Sequence, residues 1–152
     1  MLRICIAFVL AVLAGAIVGS IIQTQFNLAA LVELSVPIPF DVRISTIIHD
    51  LIHFSPIFGV ILVCVLIVAL PLAYLFSRVT PVAERWWFIG AGFMGVLVGL
   101  EVVNLLAPMP TLIAATRGWA GLLAMAATGA LAGWIFDRLW HPTPQELAER
   151  VL

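Results

Sequence analysis

The sequence predicts an all-α, polytopic membrane protein folded as a four-transmembrane-helix bundle, and three observations predict it. Hydrophobic residues make up 64% of the 152 and charged residues 10%, against about 25% charged in soluble domains. The apolar residues gather into four long stretches, at 4–22, 56–76, 86–106 and 119–136. Each matches the ~20 residues that cross ~30 Å of hydrocarbon at ~1.5 Å per residue. Three of the four also carry small residues at four-residue spacing: Gly15/Gly19, Gly95/Gly99 and Gly129/Gly133. Such a spacing lines one helix face with groups that permit close helix packing, within the chain or between copies.

The first stretch follows Met-Leu-Arg. Ala14-Gly15-Ala16 would suit a signal-peptide cleavage site, but the apolar run continues to a spanning length and bears the Ala11/Gly15/Gly19 stripe, which a discarded peptide has no use for. The favoured expectation is an uncleaved span that ends at the polar run Gln23-Thr24-Gln25-Phe26-Asn27. Asn27 can cap a short helix over 28–34. Pro37 and Pro39 impose an extended segment, and Asp41 is placed to cap the next helix. Behind it Ile44, Ile47, Ile48, Leu51 and Ile52 follow the i, i+3, i+4, i+7, i+8 pattern. Polar Arg43, Ser45, Thr46, His49, Asp50 and His53 fall between them. That pattern predicts an amphipathic helix lying at the outer, periplasmic interface; the alternative is an outward extension of the second span.

Pro56 suits the start of the second span, and Pro71 is expected to kink or end it. A short polar connection leads to Trp86 and Trp87, a pair suited to a membrane interface. Ala107-Pro-Met-Pro-Thr111 breaks the third span, and 111–117 can form a turn or two of helix. The fourth span is followed by Asp137 and Arg138. In the tail, Thr143, Pro144 and Glu146 form a helix-start signal, predicting a short cytoplasmic helix over 144–152. No long repeat or linker divides the chain, so one domain, 1–152, is expected.

All seven cations are Arg, which with the Ala, Gly, Leu and Val content points to a GC-rich bacterial genome. With four spans, Arg3, Arg78, Arg85, Arg138 and Arg150 fall on one side and Arg43 and Arg117 on the other. The positive-inside rule then puts both termini in the cytoplasm of a multi-pass inner-membrane protein. The net charge of −1 gives no field for nucleic acid. Cys5 and Cys64 lie at different depths and form no CxxC pair, so two free, buried thiols are expected and no redox motif.

Few residues could carry chemistry. Glu101 is the one acidic residue inside any of the apolar stretches. It sits about five residues, or ~8 Å, from the outer end of its span. A charge there is costly, so it is expected to face the bundle, with Arg117 as partner and Asn104 adding a hydrogen bond one turn away. This intramembrane polar site reads either as a clamp between the third and fourth spans or as a proton or cation site. His49 and His53, at i and i+4, share a helix face and could hold a metal or offer a haem ligand. Zinc needs a third protein ligand and Asp50 points elsewhere, so solvated histidines are the plainer reading and no cofactor is implied. No GxSxG, SxxK or HExxH occurs.

The stretch GSIIQTQFNLAALVELSVPIP, with APMPTLIAATR further on, resembles small, uncharacterised four-span bacterial inner-membrane proteins. The resemblance implies a fold and a location and brings no activity. The function expected is therefore that of a non-enzymatic membrane component, surrounded by the lipid bilayer, packing with itself as a homo-oligomer or with a partner membrane protein. A small oligomeric transporter or channel using Glu101 is the first alternative, and a metal- or haem-binding subunit the second.

Overall fold

A computed structural model describes residues 2–80, 84–106 and 113–141. Helix α1 spans Leu2–Glu33, α2 Phe40–Val79, α3 Glu84–Leu106 and α4 Trp119–Trp140, with a 3-10 turn at Ala114–Arg117 before α4. All four helices are long and apolar enough to cross a membrane. They follow one another around a ring: α1 packs on α2, α2 on α3, α3 on α4, and α4 closes against α1.

The inside of the ring is built from large residues facing small ones. Phe58, Leu62, Leu66, Phe88, Val96 and Met125 are fully buried or nearly so, and α1 answers them with Ala7, Ala11 and Ala16. The outside is apolar as well: Ile17, Ile57, Ile67, Leu75 and Val98 all stand exposed. So broad an apolar exterior is what lipid as solvent permits and water does not. It also explains the cysteines. Cys5 and Cys64 are free but exposed, contrary to the expected burial, because a thiol behaves as a small hydrophobe and lipid gives it no reason to hide.

The elements differ from the sequence-based boundaries at three places. First, α1 does not stop at Gln23–Asn27 but absorbs that run and the short helix expected after it. The run contains no Gly or Pro, and Gln23 and Thr24 are buried and hydrogen-bonded, so nothing forces the backbone out of the helix. Second, the amphipathic segment and the second span form one helix of 40 residues, with Pro56 and Pro71 inside it and Pro39, not Asp41, at the N-cap. The outward-extension alternative therefore describes the path of the chain. Third, α4 continues a turn beyond residue 136 to Trp140. The expected tail helix and the Pro-Met-Pro break lie outside the described residues.

Helices of 32 and 40 residues are ~48 and ~60 Å long, well over the ~30 Å of hydrocarbon. The N-terminus of α1 is fixed beside the end of α4, where Arg3 Nε donates to the Leu139 carbonyl at 2.7 Å. The excess length therefore projects at the opposite end as an α1–α2 hairpin. Its turn is a Schellman cap. Ser35 N–H donates to Val32 O at 2.9 Å and Val36 N–H to Leu31 O at 3.1 Å, with Ser35 left-handed at φ 61°.

Candidate functional site

Polar side chains gather at the two ends of the bundle, which we call the hairpin end and the termini end. At the hairpin end Thr24 Oγ1 lies 2.7 Å from Asp50 Oδ2 and 2.9 Å from the Ser20 carbonyl. With one proton to give, the hydroxyl favours the charged acceptor. Buried Gln23 accepts the Ala115 N–H at 2.9 Å, tying α1 to the 3-10 turn. Arg43 donates to Gln25 Oε1 at 3.3 Å across the hairpin. These bonds satisfy polar groups that an apolar surrounding would otherwise penalise by a few kcal/mol each.

The residues singled out in the sequence sit around this end but are not brought together. Glu101 is exposed and does not face the bundle. Arg117 is likewise exposed, on the 3-10 turn. For Glu101 the reason is rotational. The buried positions of α3 are Phe88, Gly92, Val96 and Leu100, and a residue one step past Leu100 is carried ~100° around the helix, away from the core. Asn104, half-buried, turns inward and accepts a hydrogen bond from Thr116 Oγ1 at 3.0 Å. His49 and His53 do share a face: their rings stack at 4.1 Å and 20°. Both are exposed, and His53 Nδ1 donates to the His49 carbonyl at 2.9 Å. Asp50 is engaged with Thr24 and supplies them no third ligand.

The six glycines of the stripes pack inside the chain. Gly15 lies against Leu62 and the Thr128 carbonyl, and Gly19 lies under the Phe58 ring. Gly95 and Gly99 lie beneath Val65. Gly129 and Gly133 touch the backbone of α3 at Gly92 and Phe88.

The termini end holds a cluster that the sequence reading did not assemble. Asp137 is buried, 4% exposed, near the end of α4. Arg85 Nε approaches its Oδ2 at 3.4 Å. His141 Nε2 lies 3.6 Å from its Oδ1 and 3.8 Å from Glu84 Oε1. Glu84 and Arg85 come from the first turn of α3. Below them Phe88, Phe136, Trp140 and Tyr74 form an aromatic layer with ring centroids 5.5–6.1 Å apart. Asp137 and His141 are i, i+4 partners on one face of α4, a spacing visible in the sequence once the fourth span is carried one turn past residue 136.

Four apolar helices in a closed ring with a lipid-suited exterior define a multi-pass helical membrane protein. Beyond that class the chain matches no family model, no curated protein and no solved structure.

Proposed function

We propose that this chain is a non-enzymatic component of a bacterial cytoplasmic membrane, its termini inside, that works by associating with another membrane protein through α3. The observation that carries this reading is the exposed carboxylate of Glu101. It continues the exposed strip Met94, Val98 and Leu105, whose other members are all apolar. A charge presented to lipid costs free energy at this depth. A partner span bringing Arg, Lys or His to the same level would remove the cost and fix register.

Two further features support an association surface here. Helix α3 buries only 17% of its apolar window inside the chain, against 50% for α4. Beside the strip, α2 and α3 flank an open apolar groove of about 840 Å³, with Ala69, Gly90 and Gly95 among its small residues and Phe76, Trp86 and Met94 among its large ones. Small residues let a second helix approach closely. The orientation rests on Arg3, Arg78, Arg85 and Arg138 standing at the termini end against Arg43 and Arg117 at the other.

The test is a photo-crosslinker at Val98 in the intact membrane, with and without Glu101→Gln. The expected product is a heteromeric adduct whose partner peptide carries a cation within a span. Glu101→Gln should reduce it at least severalfold while the thermal midpoint of the purified chain stays within about 1 °C. An adduct between copies of this chain would instead support the second reading, an oligomeric transporter or channel with Glu101 around a shared axis. Lipid adducts alone, unchanged by Glu101→Gln, would overturn both.

A further inference from the structure

The termini end carries a second kind of site, independent of the association surface. We propose that Glu84, Asp137 and His141 form a binding site for one divalent first-row metal ion, with zinc(II) the best fit, that pins the start of α3 to the end of α4.

The distances are the first reason. Imidazole Nε2 faces one carboxylate oxygen at 3.6 Å and another at 3.8 Å. Both are beyond the 2.7–3.2 Å of N–H···O hydrogen bonds (~2.9 Å typical). They fall close to the ~3.4 Å edge of a tetrahedral shell with ligands ~2.0–2.1 Å from zinc. One ligand atom from each of the three side chains lies within 4.8 Å of the others. Half-buried Glu84 and exposed His141 would have to draw in toward Asp137 to close the shell around an ion.

The ligand chemistry is the second. One imidazole and two carboxylates suit zinc or manganese, and the imidazole selects against magnesium and calcium. The third reason is the support behind Asp137. Its side chain is 6% exposed and Arg85 approaches Oδ2, leaving Oδ1 toward His141. An outer partner that orients a ligating carboxylate is a recurrent feature of metal sites. With Glu84 and Asp137 each negative, Arg85 positive and His141 neutral, the cluster carries a net single negative charge. The side chains of His141 and Glu84 are 48% and 30% exposed, so solvent reaches the site, and the fourth position is open to water.

The backbone serves the same end. His141 ends α4 with φ −64° and ψ 136°, the extended conformation imposed by the following Pro142. The helix thus stops one residue before the ligand, and its imidazole remains beside Asp137, one turn back. Among the described residues no other three metal-capable side chains converge in this way.

The experiment uses the full chain in mild detergent, purified without a polyhistidine tag, stripped with chelator and titrated with Zn²⁺ against a fluorescent zinc indicator. One zinc per chain is expected, unaffected by excess Mg²⁺, with a thermal midpoint that rises on zinc addition as binding to the folded state requires. Asp137→Asn removes a buried charge and would threaten the fold, so the deciding variants are His141→Gln, at an exposed side chain, and Glu84→Gln, at a half-buried one. Each should weaken zinc binding at least tenfold and abolish most of the thermal shift, with the zinc-free midpoint preserved. The double variant His49→Gln/His53→Gln should bind zinc like the parent. Absence of stoichiometric binding overturns the proposal. So does binding that survives His141→Gln, or binding that disappears with the His49/His53 pair.

Discussion

Helix α3 meets its two neighbours with the same residue type and two different results. Toward α4, glycine faces glycine. A methyl group added at Gly92 would collide with the Gly129 carbonyl, and one at Gly129 with the Gly92 carbonyl. The backbones themselves are in contact, at a separation where Cα–H···O contacts become available. Toward α2, glycine faces a side chain. Cβ positions built at Gly95 and Gly99 lie 2.9 and 2.6 Å from the Val65 methyls. There Val65 fills the notch, the backbones stay apart and a groove remains beside it. A small-residue stripe thus becomes a sealed seam only when the facing helix is small at the same height. With a branched residue opposite, it becomes a knob in a hole with an open flank.

Three alanine substitutions on α3 grade this difference. Gly92→Ala should do the most damage, because the obstructing atom is a backbone carbonyl that cannot rotate away. We expect a loss of about 3 kcal/mol, the upper part of the usual range for overpacked interiors, read as a lowered unfolding midpoint in mild detergent. A loss under about 0.5 kcal/mol would mean the α3–α4 seam is looser than described. Gly99→Ala should cost less, about 1 kcal/mol, since the obstructing atom is a side-chain methyl of half-buried Val65 rather than backbone. Adding Val65→Ala should recover much of that loss. Strict additivity of the two changes would show that they do not share the notch. Gly90→Ala should act in the opposite direction. No atom lies within 4 Å of a Cβ built at Gly90, so only the helix-propensity gain remains, up to about 1 kcal/mol. A destabilising Gly90→Ala would place an unexpected neighbour in the groove.

The sequence by itself determined the class of the fold and the placement of the four long apolar helices. A spanning helix needs only about 20 apolar residues in a row, a local property, and every one of the four stretches is helical where it was read. The small-residue stripes were equally legible as faces. What they pack against was not, because the partner of Gly92 lies on α4 and the partner of Gly99 on α2. Tertiary structure also decided where helices end. The polar run at Gln23 looked like a terminus; it stays helical with its polar groups met by Asp50 and the Ala115 N–H, 26 and 92 residues away. Glu101 was conspicuous for being a charge among hydrophobes, yet the rotation of α3 turns it outward. Asp137, passed over as the first residue after a span, is the buried acid among the described residues. Its environment needs the first turn of α3 and the last turn of α4 at one level, set by helix length and seam packing. Composition and periodicity act over a few turns of one helix, whereas the surroundings of a single charge depend on which neighbours the packed bundle brings to its height.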